Sequence, residues 1–367
     1  MLAPRVMSSA YMQWAKKESK AKYNLAVSGM ISYSLRDLPA EIEDLELSRG
    51  GDYGYSPLLS ALASHSGCAP ENVVTAAGTS MANHLAMAAI LDPADEVVVE
   101  HPTYELLLST LGYLQADIRR FRRAPEDGFA VDPAEVERVV TPRTRLIVLT
   151  NLHNPSSALI EESTMRRVGE IARSVGARVL VDEVYLDAVF DRPQRSAFHL
   201  GPEFVTTNSL TKVYGLSGLR CGWILAEPEL ARRMWRLDDL FDVNPAYPAE
   251  LLSCIALAHL DRARAKSRAL LETNRIALNR FLASRGDLDV RPLEFGTVAF
   301  PRLLTGPVDD FCNLLRRKYE TSVVPGGFFE MPDRFRIGIS GETAALPPAL
   351  DRLGAALDEF RSRLSRG

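Results

Sequence analysis

Two short apolar runs and one β-rich run, each ending in a polar cluster, constrain the fold of this chain more than any other feature. Arg145-Leu-Ile-Val-Leu-Thr150 leads into Asn151-Leu-His-Asn-Pro-Ser-Ser157. Arg178-Val-Leu-Val-Asp182 leads into Glu183-Val-Tyr-Leu-Asp187, and Phe204 to Asn208 stops at Ser209. A helix-length segment, Ser163 to Val175, separates the first two. Runs this short and apolar read as buried strands, and strand–helix–strand alternation builds a parallel α/β sheet. Open sheets of this kind bind ligands beyond the carboxyl ends of their strands. Asn154, Asp182 with Tyr185, and Ser209 with Lys212 therefore gather at one edge.

The same alternation extends in both directions. Asn72 to Ala77 reads as a strand, and Gly78 to Ile90 as a helix opened by a glycine and two hydroxyls. Backbone N–H groups at such a start form a cup for phosphate, although Thr79 or Ser80 could equally be a plain N-cap. Asp95 to Glu100 is a further strand, followed by His101-Pro-Thr-Tyr-Glu105 and a helix from Leu106 to Leu114. Asp132-Pro-Ala-Glu135 is a helix start with no evident chemistry. Beyond Trp223 comes a long helical region, which Asn244-Pro-Ala-Tyr-Pro248 must interrupt, and Leu251 to Leu282 reads as one interdomain helix. From about residue 286, strand-like and helical runs alternate again, with Val323 to Glu330 and Arg334-Phe-Arg-Ile-Gly-Ile-Ser340 near the end. The expected division is an N-terminal arm over 1–28, a large domain over 29–250, a connecting helix over 251–285 and a small domain over 286–367.

Composition excludes several classes. With 367 residues, 46% hydrophobic and 25% charged, the chain has enough material for two domains and a large core. A net charge of −4 gives no sign of a nucleic-acid or membrane partner. The four cysteines (Cys68, Cys221, Cys254, Cys312) are scattered, with no pairing that suggests zinc or a disulfide framework, and the six histidines lack metal-ligand spacing. No run has the length of a membrane span or a signal-peptide core, so a reducing cytoplasm is the expected setting.

The densest chemistry lies in Ser209-Leu-Thr-Lys-Val-Tyr-Gly-Leu-Ser-Gly-Leu-Arg-Cys-Gly-Trp223. A lysine just past a strand end can form a Schiff base, and Ser209 with Arg220 can hold a phosphate. This segment closely resembles the lysine segment of the class I/II aminotransferases, pyridoxal-phosphate enzymes of fold type I. Asp182-Glu-Val-Tyr185 is similar to that family's Asp-x-x-Tyr, and Asn154-Pro155 to the start of its Asn-Pro-Thr-Gly. Here Ser156-Ser157 replaces Thr-Gly.

The resemblance runs from about Asn24 to Ser340. It implies a mainly parallel seven-stranded sheet in the large domain, a smaller α+β domain, a homodimer and bound pyridoxal 5'-phosphate. It makes Lys212 the Schiff-base lysine and Asp182 the partner of the pyridine nitrogen. Asn154 and Tyr185 become donors to the ring's phenolate oxygen, and Tyr104 a ring-stacking aromatic. Gly78, Thr79, Ser80, Ser209 and Arg220 become the phosphate site. Arg336, in Phe-Arg-Ile-Gly, becomes the clamp for a substrate α-carboxylate, joined by Asn154. Arg334 is then a surface charge and Glu183 structural. A tyrosine in Gly50-Gly-Asp-Tyr-Gly-Tyr-Ser-Pro57 is implied to reach the neighbouring subunit's phosphate, and Tyr53 is preferred over Tyr55. The asparagine-to-methionine stretch 24–30 is an entry loop beside the substrate.

The implied activity is amino transfer between an L-amino acid and a 2-oxo acid, with Lys212 moving the α-proton. The same parts also serve lyase and decarboxylase chemistry. A non-catalytic cofactor-binding protein is a further alternative. A nicotinamide dehydrogenase is disfavoured because no Gly-x-Gly-x-x-Gly follows a strand.

Overall fold

The order of strands in one large sheet explains how distant polar clusters meet. The computed structural model describes residues 4–192 and 194–365. Its large sheet contains β1 (Val73–Ala77), β2 (Glu96–His101), β3 (Asp117–Arg122), β4 (Thr144–Thr150), β5 (Arg178–Asp182), β6 (Phe204–Ser209) and β7 (Cys221–Leu225). They lie in the order β1-β7-β6-β5-β4-β2-β3. All neighbours are parallel except β7, which runs antiparallel to both β1 and β6. The expected mainly parallel seven-stranded sheet is therefore present. Edge strand β3 lacks the apolar signature of the others, since three of its six residues are arginines.

Side chains alternate across each strand, so the two faces build separate cores. On β4, Leu146 and Val148 pack with residues of α3 (Thr79–Ile90), α4 (Glu105–Tyr113) and α7 (Pro228–Asp238). Ile147 and Leu149 pack on the other face with α5 (Pro133–Val139) and α6 (Glu162–Val175). Each such fully buried aliphatic side chain contributes roughly 1.5–3 kcal/mol against solvent exposure. Asp132 caps α5 by accepting a hydrogen bond from the Ala134 N–H at 2.9 Å.

The expected single helix over Leu251 to Leu282 is two helices, α8 (Tyr247–Ala258) and α9 (Leu260–Ala283), separated at His259 (φ −123°). No proline or glycine marks the break. The smaller α+β part contains β8 (Val298–Ala299), β9 (Val324–Pro325) and β10 (Phe335–Gly338), ordered β8-β10-β9 and antiparallel. They pack with α10 (Val308–Tyr319) and α11 (Leu346–Leu364), through Phe311 between Phe335 and Phe360. The N-terminal segment joins this part, because Tyr23–Asn24 pairs in parallel with Thr321–Ser322. Before it lies the short helix α1 (Ala10–Lys17), capped by the Ser9 hydroxyl, which accepts from the Met12 N–H at 3.0 Å, and after it comes α2 (Ser56–Ser66). Among the described residues, no helix is long and apolar enough to cross a membrane.

Candidate active site

At the carboxyl end of the sheet, a cavity of about 510 Å³ is lined by residues from eight segments of the chain, Lys212, Asp182, Arg220 and Arg336 among them. One end is built for an anion. Because β7 runs back beside β1, Cys221 pairs with Ala77, and the preceding Arg220 donates from Nη2 to the Ala77 carbonyl at 2.7 Å. Gly78 caps α3 at φ 80°. A Cβ on Gly78 would lie 2.3 Å from Arg220 Nη2, and one on Gly222 would lie 2.5 Å from the Gly78 carbonyl carbon. This close approach, with the positive φ, requires glycine at 78.

Thr79 and Ser80 are the first two helical residues, so neither is the N-cap, and no side chain caps this helix. Their N–H groups have no acceptor among the described residues, and the buried Thr79 and Thr211 hydroxyls are also unpartnered. Ser209 Oγ accepts from the Thr211 N–H at 3.3 Å. Unpaired donors at a helix start, with an arginine beside them, suit a phosphate. The donor set thus fits the phosphate of pyridoxal phosphate.

The middle of the cavity holds a carboxylate and an amine. Asp182 ends β5 and is 6% exposed. It accepts from Asn83 Nδ2 at 2.8 Å and from the Val184 N–H at 3.1 Å. Asn83 is oriented in turn by the Thr207 hydroxyl, which donates to its Oδ1 at 2.7 Å. Burial pushes the Asp182 carboxyl up despite these bonds. A buried carboxylate of this kind gains from a cationic partner, and a protonated pyridine nitrogen supplies one. Lys212 lies beyond the end of β6, and its Nζ donates to Ser28 Oγ at 3.3 Å. The Tyr185 hydroxyl donates to the same Ser28 oxygen at 2.7 Å. Tyr104 lines the cavity, edge-on to Tyr11 with ring centroids 5.4 Å apart.

The far end is cationic. Arg336, on β10, is fully buried. It donates to Asn154 Oδ1 at 2.8 Å, the Tyr11 hydroxyl at 3.1 Å and the Ala26 carbonyl at 3.0 Å. Its Nε has no partner, and it makes no ion pair among the described residues. Tyr11 lies between opposing influences: burial pushes its phenol up, but Arg336 and Lys212 together draw it down.

The reading of Arg334 as a surface charge is incorrect. β10 begins at Phe335, so Arg334 lies outside the strand. It is 6% exposed, sits over the rings of Phe129 and Phe300, and donates to the Phe300 carbonyl at 3.0 Å. Tyr53 is 57% exposed, outside its own chain's cavity, and its hydroxyl donates to Asp239 at 3.0 Å. Tyr55 packs edge-on against Tyr247.

Ser156 and Ser157 replace the expected threonine and glycine without opening the turn. Ser157 adopts the left-handed conformation itself, at φ 62°, and its hydroxyl donates to the Val298 carbonyl at 2.7 Å. The reading from sequence did not single out Tyr11, Ser28 or Asn83, although Ser28 belongs to the 24–30 loop expected beside the substrate. Asn83 and His84 are both polar residues amid the otherwise apolar Met81 to Ala86 stretch, and that was the available signal for Asn83.

A mixed seven-stranded sheet, a lysine beyond β6, a carboxylate at the end of β5 and an uncapped helix start after β1 that fits a phosphate define a fold type I pyridoxal-phosphate enzyme. The family described as aminotransferase class I and II matches residues 41–353, and the chain belongs to that family. It is 31% identical to capreomycidine synthase of Streptomyces vinaceus, over 99% of this chain and 96% of that protein. Among solved structures, a PLP-dependent aminotransferase from Streptococcus suis superposes with a TM-score of 0.91 at 25% identity, covering 97% of this chain and 99% of that one. The PLP-dependent cyclase OrfR superposes with a TM-score of 0.89 at 25% identity, covering 98% and 99%.

Proposed function

We propose that this enzyme is an aminotransferase, exchanging the amino group of an L-amino acid with a 2-oxo acid. The observation that carries this reading is Arg336, a buried guanidinium without a carboxylate partner in the cavity that also holds Lys212. A substrate α-carboxylate would supply the missing charge through paired hydrogen bonds. Pyridoxal phosphate, when bound, supplies an electron sink for the pair left as the substrate's Cα–H bond breaks.

The protein's own groups do the rest. Gly78, Thr79, Ser80, Ser209 and Arg220 hold the phosphate. Asp182, oriented by Asn83, keeps a proton on the pyridine nitrogen. Asn154 uses its Oδ1 for Arg336, which leaves its amide N–H groups for the ring oxygen; Tyr185, which lines the same cavity, would join it by giving up its bond to Ser28. Tyr104, which lines the cavity, would stack on the ring. Lys212 would take up the proton that leaves the substrate's Cα and hand it on as general acid. The reading includes a homodimer, in which exposed Tyr53 reaches the neighbouring subunit's phosphate, and the 1–28, 29–250, 251–285 and 286–367 division.

A second reading, ring-forming chemistry on a similarly bound amino acid, is favoured by the likeness to capreomycidine synthase over 99% of this chain. One assay separates the two. The enzyme, loaded with pyridoxal phosphate, is incubated with a panel of L-amino acids with and without pyruvate or 2-oxoglutarate. Products are resolved by mass spectrometry. A 2-oxo acid formed together with alanine or glutamate supports amino transfer. A ring product, or release of ammonia without an acceptor, overturns it. Borohydride treatment should fix the cofactor on Lys212.

A further inference from the structure

Ser28 occupies an unusual place for a residue outside the lysine, aspartate and arginine motifs. It is 5% exposed and lines the cavity between Lys212 and Tyr185. Its oxygen accepts from two donors, the Tyr185 hydroxyl at 2.7 Å and Lys212 Nζ at 3.3 Å. Its own hydrogen has no acceptor among the described residues.

The loop that carries Ser28 is held on both sides. The Leu25 carbonyl accepts from the Gly338 N–H, and the Val27 carbonyl from the Ser340 hydroxyl at 3.1 Å. The Ala26 carbonyl accepts from Arg336. The Met30 N–H donates to the Lys212 carbonyl at 2.8 Å, and a Cβ on Gly29 would lie 3.4 Å from Lys212 Cδ. The hydroxyl is thus fixed relative to both the lysine and the strand that bears Arg336.

We propose that Ser28 is a positioning residue for the Lys212 amine, resting on the reading of Lys212 as the group that moves the α-proton. A lysine side chain has four rotatable bonds, and its amine needs a partner to stay aimed at one point. A hydroxyl serves both protonation states: it accepts from an ammonium and donates to a neutral amine. In the cofactor-free protein Tyr185, donating to the same oxygen, fixes the direction of the serine's lone pairs. Ser28 therefore keeps the free amine beside Tyr185 whether or not it carries the proton.

The test compares wild type, Ser28→Ala and the hydroxyl-retaining Ser28→Thr, with Ser28→Cys as a second loss variant should the alanine protein not fold. In cofactor-free protein, Lys212 labelling by acetic anhydride is followed by peptide mass spectrometry. Removing the hydroxyl frees the amine, so labelling at neutral pH should quicken roughly fivefold in Ser28→Ala and return toward wild type in Ser28→Thr. In the loaded enzyme, kcat should fall about tenfold with KM for the amino acid unchanged, because only the geometry of proton transfer is lost. An unchanged labelling rate in the loss variant overturns the proposal. Failure of borohydride to fix cofactor on wild-type Lys212 overturns the reading of the lysine instead.

Discussion

Arg336 and Asn154 meet at 2.8 Å although 182 positions separate them, one on a strand of the smaller α+β part and the other past the end of β4. Both are buried, and the contact joins the cationic end of the cavity to the loop that follows β4. Replacing Arg336 by lysine keeps the charge but loses the planar pair of donors. Arg336→Lys should lower kcat/KM for the amino acid by about two orders of magnitude, from the loss of charge-assisted bonds worth roughly 3 kcal/mol. Steady-state kinetics check this, with cofactor absorbance expected to remain.

Gly78→Ala should act at the opposite end. The added Cβ would collide with the Arg220 guanidinium, and the residue would have to hold φ 80°. Pyridoxal-phosphate affinity should fall at least about tenfold, as one charge-assisted contact is displaced. Equilibrium titration with the cofactor measures it.

Ser157 combines a strained backbone with a useful hydroxyl. Ser157→Ala keeps the left-handed conformation and loses the bond to Val298, so it should cost about 1 kcal/mol of stability. Ser157→Gly loses the same bond but relieves a strain of about 1 kcal/mol, so its stability should stay close to wild type. Urea unfolding of both variants checks the pair of outcomes.

Glu183 gives a pH signature. Burial raises its carboxyl to about 8 in the folded chain, while the Ala197 N–H bond to its Oε1 opposes the rise. The unfolded value is about 4.3. A raised folded value means that the stabilising contribution is complete below about pH 4 and lost as pH climbs toward 8. Glu183→Gln has no proton to lose. It should therefore gain on wild type by on the order of 1 kcal/mol per pH unit between about 5 and 8. Urea midpoints of the two cofactor-free proteins across that range check the slope.

How much was legible in the sequence varied with how local the signal was. β4 and β5 were visible because both faces are covered and their runs are continuously apolar. β3 was not, since an edge strand tolerates Arg119, Arg120 and Arg122. Lys212, Asp182 and Arg220 stood out through their spacing. Arg334 was misread because its partners, Phe129 and Phe300, come from remote positions that no local pattern connects. Ser28 and Asn83 were missed for a related reason: each is an ordinary polar residue whose role arises only when Lys212 or Asp182 is folded beside it. The break at His259 has no proline or glycine to announce it.

The reversed direction of β7 has a consequence for biosynthesis. β1 has no neighbour in the sheet except β7, which is made almost 150 residues later. A nascent chain emerging from the ribosome carries Gly78, Asp182 and even Lys212 before it carries the strand that seats Arg220 against Ala77. Until about residue 225 has emerged, the apolar Val73–Ala77 segment waits without its hydrogen-bonding partner. The pairing that seats Arg220 beside Gly78 is thus a late event in the synthesis of this chain, and it completes the sheet.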